Sequence, residues 1–186
     1  MSAVLAPQGL VPTRHPSGVI RVENLVDGIL STYATSLFTG TPIARGTNGK
    51  LEAVAAAAGA PCIGVFQGCE FSAAGKRFVL PYWPAGQAYD AGSMIAKYTM
   101  DREIIYEGQA DGPVAATALG EGIDLANASQ GSVYTGFSTQ ALESTVVGAT
   151  AASFQIIGLA PYDDNAWGDA FTKLLVRIST YQGQVA

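Results

Sequence analysis

The sequence predicts an all-β fold with little helix, arranged as an antiparallel barrel or sandwich, and three observations support this prediction. About ten short apolar segments are separated by Gly, Pro, Asn and Asp turn signals, which is typical of antiparallel barrels and sandwiches. No segment keeps an apolar period of about 3.6 residues beyond two turns, as a helix would. The dipeptide Asn48-Gly49 lies between two such segments and is the strongest short signal for a β-hairpin.

The length of 186 residues suits one domain with a small appendage. Residues 1–28 predict an extended N-terminal arm, because Pro and Gly interrupt them too often for a helix. Residues 29–180 predict the β-domain, and residues 181–186 predict a loose C-terminal tail. We expect five apolar residues of the arm to pack against another surface, either that of the arm's own domain or that of a neighbouring subunit. They are Leu5, Leu10, Val11, Val19 and Ile20.

Strand signals continue along the chain after the arm. Residues 63–71 predict a long strand, in which Gly64 and Gly68 indicate a bulge or a close approach of backbones. Residues 94–100 and 104–109 predict a hairpin, and residues 115–119 predict either a helical turn or a strand. The other predicted strand segments, in order, are 29–38, 43–45, 51–55, 77–80, 123–125, 138–142, 153–159 and 171–179.

The composition excludes several classes of partner. Charged residues make up 13% of the chain, against about 25% in an average domain. The net charge is −5, the pI is near 4.7, and the basic residues are scattered. We therefore expect no direct binding to nucleic acid and none to a membrane surface. The longest apolar run, residues 54–66, is broken by Gly and Pro and is too short for a membrane helix.

The N-terminus and the cysteines indicate a soluble protein made in a reducing cytosol. Residues 1–16 lack the basic start and apolar core of a secretion signal. Cys62 and Cys69 have no nearby His or second Cys pair, so their spacing does not match a zinc site. Their odd separation would place them on opposite faces of a strand, so we expect two buried, reduced thiols.

No motif typical of catalysis is present, so we expect neither enzymatic activity nor a cofactor. The sequence lacks a Gly-Xxx-Ser-Xxx-Gly elbow, a Walker-type phosphate loop and a His-Glu-Xxx-Xxx-His helix. Residues 126–153 contain no His, Cys, Lys or Arg, which indicates a region that presents a surface. The only histidine, His15, has no carboxylate or nucleophile placed beside it in the sequence, so a contact role is expected.

Residues 163–169 (DDNAWGD) are the densest acidic segment. Their oxygens are of the type that binds Ca²⁺, but the spacing does not match an EF-hand loop and no bidentate Glu follows. We therefore predict no metal site. Asp and Asn should instead accept hydrogen bonds from backbone N–H groups at turns, while Trp167 packs the loop down.

The loop at residues 81–92 is rich in Pro, Gly and aromatic residues. Aromatic side chains on a loop stiffened by proline bury a large area at little entropic cost, which favours contact with a partner. The alternative, that they cap the core of their own domain, stays open. Together with the arm, this loop gives the expected contact residues, which are Leu10, Val11, Arg14, His15, Tyr82, Trp83 and Tyr89.

Several stretches, in this order and spacing, resemble the head decoration (cement) proteins of tailed bacteriophages, which coat capsids built from the HK97-type major capsid protein. The stretches are residues 9–15 (GLVPTRH), 33–43 (YATSLFTGTPI), 63–66 (IGVF), 82–86 (YWPAG), 109–112 (QADG) and 157–159 (IGL) followed by Asp164 and Asn165. The resemblance covers most of the chain, from residue 9 to residue 178. Its motifs are structural turns and strands.

The resemblance implies a non-enzymatic virion protein of the β-barrel or jelly-roll type, made in the host cytoplasm. It would bind the outer capsid surface in many copies and stabilise the shell. Its partners would be the major capsid protein and other copies of itself, as a homotrimer or else a homodimer. The family has no catalytic residues to carry over, and no motif in it defines the contact residues.

Two other functions remain open from the sequence. A carbohydrate- or receptor-binding β-domain of a virion fibre or tail would use Tyr82, Trp83 and Trp167 to stack on sugar rings. Exposure of both tryptophans on one concave surface would favour it. A hydrolase would need two carboxylates within about 5–10 Å of each other in a cleft. Neither function explains the apolar arm.

Overall fold

The computed structural model describes residues 4–148 and 151–182. Within these residues the regular structure is thirteen β-strands and one 3-10 helix, Ala116–Ala118, which corresponds to the helical turn considered at 115–119. The strands are β1 Val11–Arg14, β2 Glu23–Val26, β3 Leu37–Phe38, β4 Pro42–Arg45, β5 Leu51–Ala53, β6 Gly64–Ala73, β7 Lys76–Leu80, β8 Tyr82–Trp83, β9 Ile95–Thr99, β10 Ile105–Gln109, β11 Gly122–Ile123, β12 Phe154–Leu159 and β13 Lys173–Ile178.

The all-β, antiparallel prediction is confirmed, because every pair of neighbouring strands in the three sheets is antiparallel. The first sheet has the order β1-β10-β13-β12-β11. The second has the order β2-β9-β6-β4-β5, with β7 paired to β6 as well, and β3 pairs with β8 in a small third sheet. The described strands form separate sheets with edges rather than one closed barrel.

Two hydrophobic clusters hold the sheets. The first is built mainly from the first sheet, with Tyr106, Phe154 and Val176 fully buried in it. The second is built mainly from the second sheet and the small sheet, around Phe66 and Trp83. The alternation of buried and less buried residues in β10 and β13 follows the period of two that a sheet with one buried face requires.

The two glycines singled out in β6 behave as the sequence predicts. Gly68 has a φ of +121° and lies where the register between β6 and β9 shifts, so it forms a β-bulge. Gly64 lies so close to the backbone carbonyl of Thr99 in β9 that a Cβ atom would overlap it. Glycine is therefore required at both positions for different reasons.

One predicted hairpin is confirmed and another is wrong. Asn48 and Gly49 lie in the turn joining β4 to β5, where the Asn48 side chain accepts a hydrogen bond from the Lys50 N–H at 2.8 Å. By contrast, β9 and β10 do not pair, since β9 belongs to the second sheet and β10 to the first. Turn residues mark a reversal of the chain but do not say whether the next strand pairs with the previous one.

Two further strand predictions were wrong, one in its length and the other altogether. Of residues 29–38 only β3 is a strand, and residues 138–142 make only isolated bridges. In the second stretch the Leu142 backbone bonds alternately to Gln109 and Asp111, so its groups are satisfied without a ladder. The apolar residues that suggested these strands therefore belong largely to loops that pack against the core.

The expected N-terminal arm is extended and lies on its own domain. β1 is an edge strand of the first sheet and β2 an edge strand of the second. Before β1, the Gln109 amide donates to the Val4 carbonyl at 3.0 Å and accepts from the Ala6 N–H at 2.8 Å. The arm is thus part of both sheets.

The start of the expected C-terminal tail is also docked. Tyr181 packs against both hydrophobic clusters, and the Gln182 N–H donates to the Cys62 carbonyl at 3.0 Å. Residues 183–186 lie outside the described residues.

Candidate functional site

The contact residues expected on the arm fall into two groups. Val11 and Arg14 are exposed on β1 and are available to a partner. Leu10 is only 1% exposed, because its side chain enters the first hydrophobic cluster and its N–H donates to the Gly40 carbonyl at 2.8 Å. The expectation of an external contact was therefore wrong for Leu10, which anchors the arm to the core.

The aromatic loop at residues 81–92 mainly completes the core of its own domain, which was the alternative left open. Trp83 is fully buried and its ring meets Phe71 and Tyr89 edge-on. The Tyr89 hydroxyl donates to the Ile29 carbonyl at 2.7 Å, and the Tyr82 ring stacks on Phe38.

An external contact was therefore a wrong prediction for Trp83. Its burial also removes the pair of exposed tryptophans that would have favoured the sugar-stacking alternative. Tyr82 and Tyr89 remain partly exposed but are held in place by the core.

His15 has partners that the sequence did not indicate. Its Nε2 lies 3.1 Å from Asp101 Oδ2, and its Nδ1 lies 2.6 Å from Ser17 Oγ. The Ser17 N–H also donates to Nδ1, at 3.1 Å, so Nε2 is the ring nitrogen that carries the proton shared with Asp101. Asp101 was missed because it is distant in sequence and approaches only when β9 crosses to β10.

Ser17, His15 and Asp101 are the three residue types of a catalytic triad, but here they lie at an exposed turn. Ser17 is exposed, and the Gly18 N–H closes the turn by donating to the His15 carbonyl at 2.9 Å. Acyl transfer also needs donors aimed at a developing oxyanion in a site that excludes water, and an exposed turn does not provide that exclusion. The three residues join the β1–β2 connection to the β9–β10 connection.

The acidic segment at 163–169 is built as the sequence predicts. The buried Asn165 side chain donates to the carbonyls of Ala160 and Lys173 and accepts from the Lys173 N–H, at 2.8–2.9 Å. Asp169 accepts from the Ala166 N–H at 2.8 Å, and Trp167 packs against the first cluster. In the described part of the chain no group of three or more His, Cys, Asp or Glu side chains is placed to hold a metal ion.

The prediction of two buried thiols is confirmed. Burial raises the pKa of Cys62 from 9.0 to about 12, partly offset by its hydrogen bonds to backbone groups. Burial likewise raises the pKa of Cys69 to about 12, and nearby Lys97 lowers it only in part. Each thiol also donates to a backbone carbonyl, that of Gly64 for Cys62 and that of Tyr82 for Cys69. Thiols held in the protonated form are poor nucleophiles.

The most buried carboxylate, Asp124, has a structural role. Its Oδ1 accepts from the Ser153 N–H and hydroxyl, both at 2.8 Å, and from the Gly59 N–H at 3.1 Å. These bonds join three separate segments of the chain. All three bonds engage Oδ1, so this carboxylate oxygen serves to fix the backbone around it.

The arm keeps a row of exposed apolar side chains even though it lies on both sheets. Val19, Val22 and Val26 are 61%, 51% and 59% exposed, on β2 and the segment before it. We call these three residues the valine edge. No described strand pairs with the outer side of β2. Val4, Leu5 and Val11, nearer the start of the arm, are also exposed apolar residues.

Comparisons of the chain with protein family models, with curated proteins and with solved structures found no match. Among the described residues, no helix has the length and apolar character needed to span a bilayer.

Proposed function

We propose that the protein is a decoration protein that binds the outer surface of an HK97-type phage capsid and stabilises contacts between capsomers. The observation that carries the proposal is the valine edge. A group of exposed large apolar side chains beside an unpaired sheet edge is normally covered, because it would otherwise associate with other chains. Here Glu23 supplies the only charge within β2, and no described element covers the valines.

The composition of the surface supports attachment to protein rather than to nucleic acid or membrane. With 13% charged residues and a net charge of −5, the chain has neither the basic patches nor the excess positive charge that phosphate groups attract. A partner with a neutral, partly apolar surface is the best match. We propose the outer capsid shell as this partner, because it presents the same surface in many equivalent copies.

Repetition explains how a small surface is sufficient for this function. A filled capsid is under internal pressure, and a subunit that bridges neighbouring capsomers opposes their separation. If copies of the protein associate as a trimer or a dimer, each additional contact with the shell becomes intramolecular, and the avidity exceeds the affinity of one copy. The protein would then act as a component of the virion, without turning over a substrate.

Three isosteric substitutions test the attachment surface. Val19→Thr, Val22→Thr and Val26→Thr, combined in one variant, keep the shape and the strand propensity but replace one methyl group of each side chain with a hydroxyl. Because each buried methyl group contributes about 0.8 kcal/mol, we expect attachment per copy to weaken by about tenfold or more. The measurement is co-sedimentation of the purified protein with capsids that lack it, over a range of protein concentrations.

The matched control is Val79→Thr on β7, where the valine is 63% exposed but belongs to another edge. Point substitutions are preferable to removal of the arm, which would delete β1 and the core residue Leu10. The proposal fails if the triple variant saturates capsids at the same concentration as the unmodified protein. It also fails if capsids without the protein resist heat and osmotic shock equally well.

A further inference from the structure

A groove opens beside the start of the arm, and none of the valine-edge residues lines it. One wall is the segment 5–8 of the arm, and the other is formed by the loop at residues 127–139. The groove has a volume of about 570 Å³, which lies within the range of about 300–1,000 Å³ typical of small-molecule sites. Apolar and uncharged polar side chains both line it, and we call it the polar groove after its amide and hydroxyl groups.

The walls of the polar groove are uncharged. The two chain segments that supply them, 4–12 and 126–142, contain no Asp, Glu, Lys, Arg or His. An anionic ligand would therefore meet no cation and a metal ion would meet no carboxylate, although both need such groups for tight binding. The ligand that fits must be neutral.

The groove presents hydrogen-bonding side chains that have no partner within the described protein. The amides of Gln8 and Gln130 and the hydroxyls of Ser132 and Thr139 all line it, and none forms a side-chain hydrogen bond to another described residue. Each of these four groups can both donate and accept a hydrogen bond. A ligand that carries many hydroxyl groups would satisfy them, whereas an apolar ligand would leave them unpaired.

An exposed aromatic ring completes the site. Phe137 lines the groove and is 46% exposed. Its backbone is fixed on both sides, because its carbonyl accepts from the Ser132 N–H at 3.1 Å and its N–H donates to Thr135 Oγ1 at 3.3 Å. The loop is fastened to the domain where the Thr39 N–H donates to the Gly136 carbonyl and the Ser138 N–H donates to the Thr39 carbonyl. The backbone that carries the ring is therefore ordered before any ligand arrives, which lowers the entropy lost on binding.

We propose that the polar groove binds a neutral oligosaccharide. A sugar ring has hydroxyl groups around its rim, which match the free amides and hydroxyls, and an apolar C–H face, which packs on Phe137. The proposal goes beyond capsid attachment, since it assigns the protein a second binding activity at another surface. A virion coated with such grooves would hold neutral glycans with high avidity even where each site is weak.

The experiment uses saturation-transfer NMR with four neutral probes, maltotriose, mannotriose, chitotriose and lactose, and with sialyllactose as the anionic comparison. At least one neutral probe should bind with a dissociation constant of about 1 mM or tighter. Phe137→Ala should weaken that binding by about tenfold or more, and Gln130→Ala by about threefold or more. Phe137→Trp keeps an aromatic face and should retain binding.

Two substitutions of the same residue types serve as controls away from the groove. Phe78→Ala removes a ring on β7 that is 38% exposed, and Gln87→Ala removes an amide in the aromatic loop, so neither should change binding. Circular dichroism checks that each variant is folded. The Gln130 side chain has no partner in the described protein, so Gln130→Ala should leave the fold intact. If Phe137→Ala unfolds, Gln130→Ala still tests the proposal.

The proposal is overturned if none of the neutral probes binds, if sialyllactose binds more tightly than lactose, or if Phe137→Ala and Gln130→Ala both bind like the unmodified protein. Saccharide binding can be tested independently of capsid attachment. The valine-edge variant should bind saccharide normally, and Phe137→Ala should still co-sediment with capsids.

Discussion

At the scale of single residues, buried polar side chains form hydrogen bonds that link segments distant in sequence. Asp124 joins Gly59 to Ser153, and Asn165 joins the ends of β12 and β13. Each is satisfied by several short bonds, so its removal would leave backbone groups buried without a partner. Trp83 differs, because its indole N–H has no hydrogen-bond partner among the described residues, so only packing holds its side chain.

Asn165→Ala tests this role of a buried amide. It removes the acceptor for the Lys173 N–H and the donors to the Ala160 and Lys173 carbonyls, so we expect the free energy of unfolding to fall by about 2–3 kcal/mol. Urea denaturation measures the loss. Asp163→Ala, in the same loop but exposed, is the control and should change stability by less than about 0.5 kcal/mol. An equal loss of stability in the two variants would show that the hydrogen bonds of Asn165 do not hold this loop.

At the scale of elements, the second sheet depends on a close approach between β6 and β9. These strands pair over residues 65–70 and 95–99, with Gly68 absorbing the shift in register. Gly64 stands just before the paired stretch, against the Thr99 carbonyl. The absence of a side chain there lets β9 lie against β6 and carries Thr99 into its buried contact with the Tyr106 hydroxyl, at 3.1 Å.

Gly64→Ala should therefore disrupt the second sheet. The new Cβ would overlap a backbone atom, which cannot rotate away, so we expect a loss of stability of about 3 kcal/mol or more, comparable with the largest effects of overpacking. Gly158→Ala in β12 is the matched control, since a Cβ there meets open space. Thermal unfolding of the two variants is the measurement. A fall in Tm for Gly158→Ala as large as that for Gly64→Ala would refute the argument.

At the scale of the whole molecule, the interior holds acidic groups that folding keeps protonated. The pKa of Cys62 and of Cys69 is about 12 in the folded protein, and burial also raises the pKa of Tyr106 above its ordinary value of 10.0. The unfolded chain releases these protons first as the pH rises. It then binds fewer protons than the folded chain, so stability falls with increasing pH.

We therefore expect stability to be fully retained below about pH 9 and to decline as the pH rises towards 12. The two cysteines together should give a slope of roughly 3 kcal/mol per pH unit in the steep part of that interval. Urea unfolding at a series of pH values measures the slope. The variant Cys62→Ala/Cys69→Ala should show a shallower decline, and an unchanged slope in it would mean that other groups dominate.

The sequence by itself determined the class of fold, because that depends on local physics. The short apolar segments, the Asn48-Gly49 turn, the bulge glycine Gly68 and the buried cysteines all express preferences that a few neighbouring residues decide. The role of residues 163–169 was also predictable, since Asp and Asn bond to nearby backbone groups whatever the rest of the fold does.

Only the tertiary structure decided which strands pair and which side chains reach the surface. Turn signals could not show that the chain passes from one sheet to another between β9 and β10, because pairing depends on contacts between distant segments. For the same reason Leu10 and Trp83 were expected outside and lie inside, and Asp101 was not connected with His15. The polar groove is formed by two segments more than a hundred residues apart in sequence, so no local pattern could have indicated it.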